Sequence, residues 1–160
     1  MDDARHELAM QLFQQAYVLQ RQGDLETAVD LYKRSIELYP TAEAYTYLGW
    51  TYSTQGKVEE AITQCKNAIL IDPTLGNPYN DIGAYLIGQG LYDDAIPWLE
   101  KAISSSRYEA YHYPWYNLGR VYVEKEMFTK ARECFAKSIE IESRYEPARQ
   151  AMARLRTLVQ

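Results

Sequence analysis

The sequence predicts an all-α solenoid: four helix-turn-helix repeats stacked in a row, followed by a C-terminal capping helix. Three observations predict it. An apolar frame recurs at near-constant spacing, marked by Ala28, Ala61, Ala95 and Ala131, which stand 33, 34 and 36 residues apart. Within the fourth copy, Trp115, Leu118, Gly119 and Tyr122 fall at i, i+3, i+4 and i+7, one stripe of an α-helix. Gly23, Gly56 and Gly90 separate the two helical stretches of the first three copies, and Pro40 and Pro73 close the first two. A helix pair of this size cannot bury its apolar face alone, whereas stacked copies can.

The 160 residues suffice for one domain, with repeats at about 9–41, 42–75, 76–111 and 112–145 and the cap at about 145–158. The first helix is expected from Asp2 or Asp3, whose carboxylates suit a helix N-terminus, to Gln22. Asp24 caps a second helix that runs to about Leu38. Repeat two reads as Ala42–Gln55 and Val58–Ile71, and repeat three as Asn77–Gln89 and Tyr92 to about Ser105. Pro97 removes the bond to the Asp93 carbonyl and is expected to bend its helix.

No proline closes repeat three. In its place runs Ser104-Ser105-Ser106-Arg107-Tyr108-Glu109-Ala110-Tyr111-His112-Tyr113-Pro114, the longest connection in the chain. It is read either as a functional loop or as a tolerated insertion. Repeat four has Glu126 where the others have glycine, which predicts a tighter or more helical turn. The last helix, about Tyr145–Leu158, carries Ala148, Ala151, Met152, Leu155 and Val159 on one face, with Arg149, Arg154 and Arg156 away from it. That polarity is what the end of a stack requires.

Composition narrows the function. Hydrophobic residues make up 47% and charged residues 24%, as in globular proteins. Apolar runs such as Ala68-Ile69-Leu70-Ile71 are too short to span a bilayer, and no signal-peptide pattern follows Met1, so no membrane role and a cytoplasmic location are expected. The formal charge of −5 is unevenly spread: 8 Lys+Arg face 16 Asp+Glu in residues 1–111, against 9 and 6 in residues 112–160. An acidic body argues against nucleic-acid binding. His6 and His112 lie in separate repeats, and no H-E-x-x-H, C-x-x-C or G-x-S-x-G occurs, so neither catalytic residues, nor a metal, nor a cofactor are expected. Gly88-Gln89-Gly90 follows a helix instead of a strand and is a turn. Cys65 and Cys134 are separated by a whole helix pair and read as small buried hydrophobes.

Trp115-x-x-Leu118-Gly119-x-x-Tyr122, then Ala131 and Phe135, resembles the tetratricopeptide repeat (TPR) family. The frame recurs as Tyr45-x-x-Leu48-Gly49-x-x-Tyr52 with Ala61 and Cys65, and as Tyr79-x-x-Ile82-Gly83-x-x-Leu86 with Ala95 and Leu99. A weaker copy holds Leu12, Ala16, Leu19, Ala28 and Tyr32. The resemblance implies a right-handed α-α superhelix and a non-catalytic adaptor that binds a protein or peptide in its concave groove. The family lines that groove with first-helix positions one and five places after the marker aromatic and with one just before the turn. Carried over, the positions one and five places after the marker hold Phe13, Tyr17, Trp50, Asn80, Tyr116 and Arg120, and on the same face a turn earlier stand Asn77 and Tyr113. Aromatics and arginine dominate binding hot spots, and the asparagines suit an extended peptide backbone. Ala84 and Gly88 leave room beside Asn80.

A TPR subset grips C-terminal carboxylates with groove lysines; here Phe13 and Tyr17 stand where that clamp would begin, and no lysine lies on the groove positions of repeats one to three. Six tyrosines belong to the repeat pattern (Tyr32, Tyr45, Tyr52, Tyr79, Tyr92 and Tyr122), which leaves nine of the 15 to explain. Two alternatives accompany the adaptor. The basic last helix meeting acidic first repeats would make a self-assembling homo-oligomer, which sedimentation at rising salt separates from a monomer. The connection ending in Tyr113-Pro114 is similar to that of the TPR pilotin lipoproteins of type IV pili, which implies an assembly factor.

Overall fold

The computed structural model describes residues 2–159. Nine helices follow one another among the described residues, without a strand: α1 (Asp2–Gln22), α2 (Leu25–Leu38), α3 (Ala42–Thr54), α4 (Val58–Ile71), α5 (Asn77–Gly88), α6 (Tyr92–Ser104), α7 (His112–Glu124), α8 (Phe128–Ile141) and α9 (Glu146–Leu158). The predicted elements are all present. α3, α5 and α6 each stop one residue early, at Thr54, Gly88 and Ser104.

Packing follows the predicted pairing. The strongest contacts join α1 to α2, α3 to α4, α5 to α6 and α7 to α8. The next tier joins each pair to its successor, and α1, α3, α5 and α7 also touch along one side, which aligns the first helices on a common face. The four marker alanines are fully buried at the crossings, where a small side chain lets backbones approach and larger neighbours fill in. Tyr32 is buried between α1 and α3, and its hydroxyl donates to Gln20 Oε1 at 2.5 Å. Ser35 and Ser138, at equivalent places in α2 and α8, donate to the carbonyls of Ala9 and His112 at 2.7 and 2.8 Å. Both tie the second helix of a pair to the first.

Helix ends behave as their residues dictate. Asp24 accepts from the Thr27 N–H at 3.3 Å and Thr41 from the Ala44 N–H at 3.1 Å, each capping the helix that follows. α6 continues through Pro97 to Ser104. Val159, expected on the packed face of the last helix, lies just past α9 and is exposed; Ala148 and Leu155 carry the burial.

The turn at Glu126 corrects the expectation of a tighter link. Gly23, Gly56 and Gly90 adopt φ of +89°, +81° and +77°, and Glu126 adopts +57°. The hydrogen bonds match as well: Gly56 N–H to Ser53 and Lys57 N–H to Tyr52 in one repeat, Glu126 N–H to Val123 and Met127 N–H to Tyr122 in the other. Stacking imposes the same left-handed turn on all four repeats, and glutamate accepts a conformation that costs an L-residue about 1–2 kcal/mol. Glu126→Gly is therefore expected to raise stability by up to about 1 kcal/mol, once the larger entropy of the unfolded glycine is deducted. A thermal melt about 2–4 °C higher is the readout; a lower one contradicts the strain.

Candidate functional site

The aligned first helices enclose two hollows. The larger, about 640 Å³, lies between α1, α3, α5 and the 105–111 connection. Tyr17 and Arg21 line it from α1, and Glu43, Thr46, Tyr47 and Trp50 from α3. Asn77 and Asp81 line it from α5, and Arg107, Tyr108, Glu109 and Ala110 from the connection, with Tyr113 beyond. A smaller hollow, about 310 Å³, opens between α7 and α9, with Tyr116, Arg120 and Val123 facing Ala151, Arg154 and Leu155.

The residues singled out from sequence divide three ways. Tyr17, Trp50, Asn77 and Tyr113 meet in the larger hollow; Trp50 is 45% exposed and Tyr113 42%. Tyr116 and Arg120 line the smaller one. Tyr116 rests edge-on against Tyr145 and tilted on Phe135, at ring separations of 5.4 and 5.9 Å, and Arg120 lies 5.8 Å over its face. Phe13 and Asn80 line neither hollow. Phe13 packs edge-on against Tyr32 and Tyr47 at 5.6 and 5.4 Å, at the border of the first core cluster. Asn80, expected to offer its amide to a ligand, is buried, and its Oδ1 accepts from Asn117 Nδ2 at 3.0 Å. That bond between α5 and α7 satisfies the buried polar groups. Ala84 and Gly88 do not line the larger hollow, whose α5 wall is Asn77 and Asp81.

The connection after α6 folds back over the first-helix face. Arg107 pairs in parallel with the link between α4 and α5, its N–H donating to the Thr74 carbonyl and its carbonyl accepting from the Gly76 N–H, both at 3.0 Å. The guanidinium reaches Asp72 at 2.8 Å and Glu43 at 2.5 Å. Thr74, through hydroxyl and backbone, and then Arg107 hold the Asp72 carboxyl below its usual range. These pairs are half-exposed, so each is worth about 0–1 kcal/mol and serves mainly to register the loop. Gly76 admits the loop: a Cβ there would lie 2.5 Å from the Tyr108 ring and from Ser105 Oγ. Tyr111 donates to the Ser105 carbonyl at 2.5 Å and contacts Tyr108 edge-on, closing the loop on itself.

Asp81 is the chemically distinct group of the larger hollow. It is partly exposed and lines the cavity, yet the protein around it desolvates the carboxylate and pushes its pKa up to about 7, against a weaker opposing hydrogen bond from Asn80. Nothing in the arrangement resembles a nucleophile with its base. Burial pushes the Cys65 thiol well up and that of Cys134 up to about 11, so neither is a thiolate at neutral pH. No cluster of metal-binding side chains occurs among the described residues. No helix there is long and apolar enough to cross a membrane.

Three family profiles, each described as tetratricopeptide repeat, match residues 6–69, 79–107 and 112–145. The chain belongs to the TPR family. The "Small glutamine-rich tetratricopeptide repeat-containing protein 2" of Mycosarcoma maydis is 31% identical over 81 residues, half of this chain and 23% of that protein. The BBSome complex member BBS4 of Bos taurus is 26% identical over 135 residues, 84% of this chain and 25% of that protein. The chain thus spans about a quarter of the length of these two relatives. Among solved structures, Pseudomonas aeruginosa pilF superposes with a TM-score of 0.88 at 24% identity, over 95% of this chain and 69% of that one. MamA gives 0.74 at 26%, over 93% and 81%. YrrB, described as a TPR protein with an unusual peptide-binding site, gives 0.69 at 21%, over 94% and 77%.

Against the TPR frame, the residues that sequence reasoning missed become intelligible. Tyr47 and Asp81 each stand two places after a marker aromatic, Tyr45 and Tyr79, one step beyond the position traced from the family pattern. Asn117 holds the same place in repeat four. That register was the available signal. Arg107 and Tyr108 lie in the connection, where no periodicity operates.

Proposed function

We propose that this TPR chain is a non-catalytic adaptor that holds a segment of a partner polypeptide in the larger hollow. TPR proteins act as protein-interaction scaffolds; the hollow on this chain is the finer assignment. The observation that carries it is the exposure of Trp50 and Tyr113 on the inner wall. Leaving large aromatics in water beside a concave surface forgoes burial that a partner recovers. A volume of about 640 Å³ also suits a few residues of a guest. The likeness to pilF, at 24% identity, speaks for the fold alone.

Trp50→Ala tests this. Trp50 is exposed, so its removal is expected to leave the helical circular dichroism and melting temperature nearly unchanged. Capture of partner protein, quantified by mass spectrometry after affinity purification, is expected to fall at least about tenfold, as for a hot-spot aromatic. Undiminished capture by the folded variant removes the larger hollow from consideration.

A further inference from the structure

The larger hollow holds carboxylates in three different situations. Glu43 is taken by Arg107, and Glu109 is exposed. Asp81 lines the α5 wall with no cationic partner among the described residues, beside the Asn80 side chain only. The titratable groups that face it are Tyr47 from α3, Cys65 from α4, Tyr85 from α5 and Tyr108 from the connection. Burial pushes all four upward, so each is uncharged at neutral pH. The two arginines of the hollow are engaged elsewhere: Arg107 on Glu43 and Asp72, and Arg21, exposed, 5.8 Å over the Tyr17 ring.

A desolvated carboxylate whose own neighbours are three uncharged tyrosines and a thiol discriminates sharply between guests. Once ionised, it would repel an anionic side chain, and an apolar guest would leave it buried and unpaired or hold it in the protonated form. A cation with a flat, weakly hydrated head satisfies both parts. Guanidinium stacks on aromatic faces and donates two parallel hydrogen bonds to one carboxylate, and it is easier to strip of water than ammonium. Arg21 on Tyr17 shows the same stacking at the edge of the hollow.

We propose that the larger hollow is a receptor for an arginine side chain of the partner polypeptide, with the guanidinium stacked among Tyr47, Trp50 and Tyr108 and paired to Asp81. This rests on the adaptor role above and names the chemistry of what enters. Asp81 keeps its proton until about pH 7, so an arriving guanidinium expels it. Binding then tightens as the pH rises toward 7 and releases a proton below it.

The test titrates the full chain with acetyl-Gly-Arg-Gly-amide and with its citrulline counterpart, equal in shape but uncharged, by calorimetry in two buffers of different ionisation enthalpy. The arginine peptide is expected to bind with a dissociation constant of about 1 mM or tighter. The citrulline peptide, and Asp81→Asn with the arginine peptide, are each expected to lose at least about tenfold. At pH 6 the arginine peptide should release close to one proton. No binding by the arginine peptide, equal binding by citrulline, or unchanged binding by a folded Asp81→Asn overturns the proposal. The partner assay separates this failure from the broader one. If Trp50→Ala loses capture while Asp81→Asn keeps it, the adaptor stands without its arginine; if both keep capture, the hollow itself is discarded.

Discussion

Asp81→Asn is expected to make the protein more stable at pH 8 and no more stable at pH 4. In the unfolded chain this carboxyl loses its proton near 3.8, whereas in the fold it keeps it until about 7. Between those values the native state binds more protons than the unfolded one, so the contribution of Asp81 to stability falls as the pH rises through that window. Above 7 the cost is complete; below about 4 it is absent. The two values correspond to about 4 kcal/mol, and solvent at the partly exposed side chain lowers the expectation to about 2–3 kcal/mol. Asparagine keeps the shape and carries no charge, which removes the pH dependence. Urea denaturation at pH 4, 6 and 8 reads it: the difference between variant and parent should grow with pH and level off above 7. A constant difference, or a less stable variant at pH 8, would show that the carboxylate is not desolvated.

This expectation also bears on the role of the residue. A carboxylate that weakens the fold at neutral pH is not there for packing. Of the charged groups of the hollow, it combines desolvation with the lack of a cationic partner among the described residues, whereas Arg107 holds Glu43. Such local inconsistencies concentrate where a ligand supplies the missing partner. The two readouts are opposed: Asp81→Asn should be tougher and should bind an arginine peptide worse. A purely structural role could not move both in those directions.

The helices were legible in the sequence because two independent signals agree along it. Apolar spacing marks the buried stripe, and glycine, proline and aspartate mark where each stretch stops and starts. α2 and α4 accordingly run over the predicted residues, Leu25–Leu38 after Asp24 and Val58–Ile71 after Gly56 and Lys57. Glu126 was misjudged because the left-handed turn is imposed by stacking, which no local propensity records. The site was legible only in part, for a related reason. A helical wheel gives the angle at which Tyr17, Trp50 and Asn77 leave their helices, but not what other segments bring to meet them. Asn80 points at Asn117, 37 positions later, and is consumed there. Tyr108 reaches the hollow because Gly76 lacks a side chain, a compatibility between residues 32 positions apart. Of the nine tyrosines outside the repeat pattern, Tyr17, Tyr47, Tyr108 and Tyr113 line the larger hollow and Tyr116 the smaller, where Tyr145 braces it.

The second large effect is expected where α7 crosses α8. Phe135 is 1% exposed, packed with Ala131 and Leu155 and against Tyr116. Phe135→Ala is expected to cost about 3–5 kcal/mol in urea denaturation, the transfer of the ring plus the cavity it leaves. Gly119 faces that ring so closely that a Cβ built on it would strike the ring edge. Gly119→Ala is therefore expected to destabilise by about 1–3 kcal/mol through overpacking, despite the higher helix propensity of alanine. The double variant distinguishes a jigsaw fit from two separate losses. The added methyl occupies space that the ring vacates, so Gly119→Ala with Phe135→Ala should cost less than the two single changes together, by about 1–3 kcal/mol. Strict additivity would mean that the glycine is there for a reason other than this ring. Because Phe135 also supports Tyr116, the loss of the ring should loosen the wall of the smaller hollow, visible as faster amide exchange around Tyr116 and Arg120 than the global destabilisation alone produces.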